Sequence, residues 1–221
     1  MVSFQDVKNA EEIRTYIQAS DQVLTAMGYT EHAFAHVTKC AEVAGQLLTD
    51  LDYPERTAEL ARIAGYMHDI GNVINRVDHA QSGAIIAIRL LDKMGLPPGE
   101  LAAVISAIGH HDESTAFPVN EIAAALILAD KSDVRRSRVR ETDPSVLDFD
   151  IHDRVNYAAV HSDLHLDKSN RHITLSLNID TDICAVMDYF EIFLNRMLLC
   201  RRAANFFELR FRLVINNTCL L

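Results

Sequence analysis

The apolar residues of this chain change period about two-thirds of the way along, and that change limits the possible folds more than any other feature. Up to about residue 140 they recur every three or four positions, the spacing of one helix face. Past Asp143-Pro144, Ile173, Leu175, Leu177 and Ile179 alternate with Thr174, Ser176 and Asn178, the spacing of a half-buried strand. A helical part followed by a small mixed part is the expectation.

The helical part divides at its glycines and prolines. Ile13, Ile17, Val23, Leu24 and Met27 predict a helix over residues 11–27 that stops at Gly28. A second runs from Thr30 to about Leu48, with His36, Cys40, Val43 and Leu47 on one stripe. A third runs from Pro54 to His68 and Asp69, and a fourth follows His79 and carries Ile85, Ile86, Ile88, Leu90 and Leu91 to Gly95. Pro97-Pro98-Gly99 opens a fifth, where Leu101, Val104, Ile105, Ile108 and His111 share a face. A sixth spans Val119 to Arg136 and places Asp130 at the end of an apolar face, with Lys131 and Arg135 beyond it on the same helix.

Downstream, Leu164 and Leu166 predict a strand joined to residues 173–179 by a turn at Lys168-Ser169-Asn170-Arg171. A helix follows with Ile183, Val186, Met187, Phe190, Phe193, Leu194 and Met197 as its apolar stripe, then a strand alternating from Phe207 to Ile215. The fold class is mainly α: a helical bundle with a small α+β appendage in the order strand, strand, helix, strand. The expected domains are 1–150 and 151–221.

Composition narrows the function classes. The longest purely apolar run, Ile122 to Ala129, is far short of the roughly 20 residues a membrane span needs. Asp6, Glu11 and Glu12 stand where a secretory leader needs a basic start, so a cytoplasmic location is expected. Cys40, Cys184, Cys200 and Cys219 are too scattered for a zinc ribbon or a disulfide scaffold and read as reduced thiols. With 31 acidic against 21 basic residues the formal charge is −10, which opposes binding to nucleic acid.

Six of the ten histidines lie between residues 32 and 111. His36, His68, His79, His110, His111, Asp69 and Asp130 fall at helix ends or on apolar faces, where an unpaired polar side chain is costly. One such histidine is ordinarily a core residue with a private hydrogen bond. So many together, with two aspartates, match the imidazole and carboxylate donors of a transition-metal site built between helices.

The order His36, Tyr66-Met67-His68-Asp69-Ile70-Gly71, Asp78-His79-Ala80-Gln81-Ser82-Gly83, Gly109-His110-His111-Asp112 and Leu128-Ala129-Asp130-Lys131 resembles the HD-domain metal-dependent phosphohydrolases. The match covers roughly residues 30–140. The resemblance implies that His36, His68, Asp69 and Asp130 hold one metal ion and that Asp69 bridges to a second. His79, His110 and His111 resemble the extra ligands of binuclear subfamilies; His111 continues the apolar stripe of its helix, whereas His110 is rotated about 100° from it. The implied cofactor is two divalent ions, iron, manganese or zinc, with magnesium, nickel or cobalt also compatible. Such ions lower the pKa of a bound water to about 7, so that hydroxide attacks a phosphoester at neutral pH.

In that scheme Asp69 sets the metal pair, and His79 or His110 can protonate the leaving group. Lys131 and Arg135 are candidate phosphate contacts, Lys131 also a catalytic candidate, and His32, one turn before His36, a residue of the pocket edge. Arg138 and Arg140 read as a solvated basic helix end. The expected substrate is a small phosphorylated, nucleotide-like molecule, with neither nucleic acid nor membrane as partner and a homodimer through the appendage as one arrangement. Two departures from the family matter. Asn72 stands where relatives often carry lysine or glutamate, and the stretch after His111 lacks the Gly-Tyr-Pro signature of cyclic-di-GMP phosphodiesterases. The alternative class is a non-catalytic metal- or nucleotide-binding sensor.

Overall fold

In a computed structural model that describes residues 1–140 and 151–220, the helical period is realised as α1 (Phe4–Asn9), α2 (Glu11–Ala26), α3 (Phe34–Asp50), α4 (Glu55–Met67), α5 (His79–Lys93), α6 (Pro98–Gly109) and α7 (Glu121–Lys131). The chain divides into two units, Met1–Asp130 and Lys131–Leu221. The period change at Asp143-Pro144 and the expected boundary at residue 150 lie outside the described residues.

Glycine decides how closely the helices of the first unit approach. A Cβ on Gly65 of α4 would stand 2.8 Å from the Cα and N of Ala41 on α3, so only glycine lets these two helices touch backbone to backbone. Between α4 and α5 a short 3₁₀ turn, Ile70–Val73, carries Gly71, whose Cβ would collide with the carbonyl oxygen of His79 and the amide of Gly83 in α5. Asp78, in the left-handed region at φ 55°, turns the chain into α5 at that point. The buried Ser20 hydroxyl of α2 donates to the Ile70 carbonyl at 2.9 Å and ties the turn from its other side.

Two stripes are phased differently from the sequence reading. On α5 the buried face is Ala80, Gly83, Ala87, Leu90 and Leu91, whereas Ile85 and Ile88 are exposed. Small residues take the inward face because α5 packs against the turn and α6 at close range. Ile85 and Ile86 instead line a cavity of about 330 Å³ with Tyr16, Val73, Arg89 and Leu90. The sixth helix ends at Lys131 rather than Arg136, so Arg135 is not on it. Asp133, fully buried, forces the turn: the Arg135 Nε donates to its carboxylate at 2.8 Å, and the Arg138 Nη1 donates to its backbone oxygen at 2.9 Å. Arg138 is therefore buried, not solvated.

In the second unit, α8 (Ile151–Ala158) leads into β1 (Ala159–Asp167) and β2 (His172–Ile179), followed by α9 (Val186–Phe206), β3 (Arg210–Ile215) and the two-residue β4 (Thr218–Cys219). The sheet order is β1-β2-β3-β4. β1 and β2 pair antiparallel with Leu164 opposite Leu175, and their turn is closed by the Asp167 carboxylate, which accepts from Ser169 and Asn170. β3 returns parallel to β2 with Leu213 opposite Leu175, as a helical crossover permits. Ile173, Leu175, Leu177 and Ile179 are all buried, as their alternation predicts.

The strand, strand, helix, strand order stands, with α8 and β4 added. α9 runs past Met197, the last residue of the expected stripe, to Phe206, and Phe207 caps it instead of opening the strand. Its buried stripe is Tyr189, Phe193, Met197, Cys200 and Ala204, while Met187 and Leu194 of the expected stripe are exposed. The helix offers two apolar faces, and the sheet covers the one that carries the aromatic rings. Among the described residues, no helix is long and apolar enough to cross a membrane.

Candidate metal centre

Five helix ends meet in the first unit. His36 comes from the first turn of α3, His68 caps α4 with Asp69 next to it, His79 begins α5, His111 follows the end of α6, and Asp130 ends the apolar run of α7. All six are buried, His36 and His68 completely. Asp69 sorts them into two sets through its two oxygens. Its Oδ2 lies 3.6 Å from the His36 Nε2 and 3.3 Å from the His68 Nε2, and Asp130 Oδ1 lies 3.4 and 3.7 Å from the same nitrogens. Its Oδ1 lies 3.3 Å from the His79 Nε2 and 3.8 Å from the His111 Nε2, which are 3.2 Å from each other.

The tautomers follow from the hydrogen bonds. The Nδ1 atoms of His68, His79 and His111 face the carbonyl oxygens of Gly65, Arg76 and Ile108 at 2.8, 3.0 and 2.7 Å. A carbonyl only accepts, so each Nδ1 carries a proton and each Nε2 is the ring atom turned inward toward the carboxylates. The His68 Nε2 is buried without a hydrogen bond, and the Nε2 atoms of His79 and His111 stand 3.2 Å apart. An unsatisfied buried nitrogen is costly and is relieved by a cation.

Spacing agrees: donors about 2.1 Å from one ion in a tetrahedral arrangement stand about 3.4 Å apart. The donor set therefore fits divalent metal, with His36, His68, Asp69 Oδ2 and Asp130 able to hold one ion and Asp69 Oδ1, His79 and His111 another. The bare charges agree in sign. Burial would raise the Asp69 carboxyl, but His68, His111 and His79 hold it well below the ordinary value. Burial would lower His68, yet Asp69 and Asp130 raise it.

The remaining candidates are placed as follows. His110 caps α6, donates from Nδ1 to the Ser106 carbonyl at 2.8 Å, and belongs to neither set. His32 precedes α3 instead of lying on it; its ring stands 5.4 Å from that of His36, and its Nδ1 is held by the Thr30 carbonyl at 2.6 Å. The Lys131 side chain is buried, and Arg135 is paired with Asp133. Four cysteines are free thiols.

Sequence reading missed three neighbours. Cys40, read as part of the α3 stripe and as a reduced thiol, places Sγ 3.7 Å from both ring nitrogens of His36, close enough to group with His36, His68 and Asp130. Being equidistant from the two nitrogens, it does not lie along the Nε2 lone pair and packs beside the ligand ring. Asn72 donates to Asp69 Oδ1 at 3.0 Å and to the Asp69 carbonyl at 2.8 Å, so the residue that replaces the family's charged group orients the shared carboxylate. Arg76 reaches the same carboxylate from the loop before α5. The spacing of four between His36 and Cys40 was a legible signal; nothing local marked Arg76.

Comparison with known proteins finds a family and several relatives. The model of the HD domain matches residues 33–158. Ribonuclease Y of Deinococcus radiodurans is 31% identical over 127 residues, 54% of this chain and 20% of that protein. Ribonuclease Y of Thermus thermophilus is 30% identical over 120 residues, 51% of this chain and 19% of that protein. The chain thus spans about a fifth of the length of these relatives. A crystal structure of a predicted HD superfamily hydrolase from an uncultured Thermotogales bacterium aligns with a TM-score of 0.45 at 25% identity, over 56% of this chain and 67% of that one. With an HD match over more than half its length and a buried cluster of the motif's own histidines and aspartates, the chain belongs to the HD-domain superfamily of metal-dependent phosphohydrolases.

Proposed function

We propose that this chain hydrolyses a phosphomonoester, phosphoanhydride or phosphodiester bond in a small nucleotide-like molecule, with two divalent ions of iron, manganese or zinc as cofactor. The observation that carries this reading is the division of Asp69, one oxygen toward each of two donor sets. Such ions supply Lewis acidity at the phosphoryl oxygens and a water acidic enough to attack phosphorus at neutral pH.

The chain's residues do the rest. His36, His68 and Asp130 hold the first set and His79 and His111 the second; Asn72 fixes the rotation of the Asp69 carboxylate. The Gly65, Arg76 and Ile108 carbonyls hold the Nδ1 protons, which turns each Nε2 toward its donor set. His110, outside both sets and half-buried, is the proton donor to the leaving group.

The identity with Ribonuclease Y favours a second substrate for the same chemistry, an RNA phosphodiester. The test is elemental analysis of protein purified without a chelating tag, then a phosphoester screen that includes mononucleotides, dinucleoside polyphosphates and an oligoribonucleotide. About two metal equivalents and turnover abolished in His68→Ala and Asp69→Asn, with circular dichroism unchanged, are expected. Unchanged turnover in either variant overturns the assignment. A loaded protein that binds nucleotides and cleaves none is instead a sensor.

A further inference from the structure

Gly71 is followed by Asn72, which leaves the site without a charged side chain at that point of the sequence. The chain then runs through the 3₁₀ turn to Arg76 and re-enters helix at His79. Arg76 serves this corner twice. Its carbonyl accepts the His79 Nδ1 proton at 3.0 Å, and its guanidinium folds back over the same imidazole. Nη1 lies 3.4 Å from the His79 Nε2, 3.3 Å from the Asn72 Oδ1 and 3.9 Å from Asp69 Oδ1. The ring of Tyr29 stands 5.6 Å from the guanidinium carbon and steadies it from another side.

Three features mark this guanidinium as built for a ligand. It brings a fixed positive charge to the Asp69 oxygen that faces the second donor set. Its bonds inside the protein are long and made by Nη1, while Nε and Nη2 have no hydrogen-bond partner among the described residues. It also stands at the mouth, its side chain 25% exposed against 5% for Asp69. Once His79 gives its lone pair to a cation, Nη1 loses that acceptor. A positive fork then faces a positive centre, an arrangement that an anion between them stabilises.

Resting on the hydrolase reading above, we propose that Arg76 is the phosphoryl-binding residue of this site, its fork taking two non-bridging oxygens of the substrate phosphate beside Asp69, His79 and His111. The charge that Asn72 does not supply thus arrives from four residues further on. Arg76 contacts the reacting phosphate, so its loss impairs both substrate binding and the chemical step.

The probe is inorganic phosphate, titrated calorimetrically into Mn²⁺-loaded full-length protein, with metal content and thermal melting measured on every variant. Arg76→Gln is expected to weaken phosphate binding by about 10- to 100-fold, the range for a charge-assisted bidentate pair, at unchanged metal content. Arg76→Lys, which restores the charge but not the fork, should fall between. Equal phosphate affinity in wild type and Arg76→Gln overturns the proposal. So does a loss of metal that Arg76→Lys does not restore, since Arg76 would then act by positioning His79. Loaded wild-type protein that binds no phosphate overturns this proposal and the hydrolase reading together. Phosphate binding lost in Arg76→Gln, in a protein that cleaves no phosphoester, overturns the hydrolase reading alone.

Discussion

At the scale of single residues, the site is organised by which atom of a side chain is already engaged. His68, His79 and His111 are committed at Nδ1 and turn Nε2 inward, so their orientation is set before any ion arrives. Cys40 offers a contrast, since its sulfur lies among donors but beside the His36 ring. Cys40→Ala should therefore leave the metal stoichiometry unchanged, measured by elemental analysis, whereas His36→Ala should remove metal from the first set. The ligand types were legible in the sequence because histidine and aspartate on apolar faces need a reason to be there. His110 and His111 differ by one position, and the α6 terminus decides between them: the turn after Gly109 sends His111 inward and leaves His110 at the cap.

Helices and turns meet here at distances that only glycine permits. Gly71→Ala would drive a methyl into the His79 carbonyl and should move the start of α5 away from Asp69. We expect a loss of about 2–3 kcal/mol by urea denaturation, with the second metal equivalent lost before the first. Gly65→Ala should cost a similar amount by parting α3 from α4, with metal loss at the first set.

A second feature of this scale is the Arg56 fork, which joins α4 to α6 through both oxygens of Glu100 at 2.9 and 2.5 Å and also bonds the Val2 carbonyl at 2.8 Å. The Arg56 hydrogen bonds hold the Glu100 carboxyl below its ordinary 4.5. A depressed carboxyl stabilises the fold above its unfolded value and loses that contribution as pH falls through the folded value. Glu100→Gln should thus destabilise by about 1 kcal/mol at pH 7, and the difference from wild type should shrink in urea midpoints as pH falls below the ordinary carboxyl range.

For the whole molecule, a buried two-aspartate centre sits in a chain of formal charge −10. A long polyanion meets that field over its full length, while a small phosphorylated molecule meets mainly the local cations. Hydrolysis of a dinucleotide should therefore exceed that of a 20-residue oligoribonucleotide in kcat/KM, and added salt should narrow the gap. The reverse order would favour the RNA substrate. The two units are built on different periods, and the appendage closes its own core from α9 and one sheet face.

By itself the sequence determined the element types, the helical part followed by strand, strand, helix and strand, and the inventory of histidines and aspartates. Those depend on periods and side-chain chemistry that act over a few residues. Only the tertiary structure decided which oxygen of Asp69 faces which imidazoles, which face of α5 and α9 is buried, and that Arg76 stands beside Asp69 where Asn72 brings no charge. Such pairings join residues on different helices and turns, from seven positions apart for Asp69 and Arg76 to 42 for Asp69 and His111, and their distances are set by how closely helices pack. In this chain that closeness rests on the missing side chains of Gly65 and Gly71.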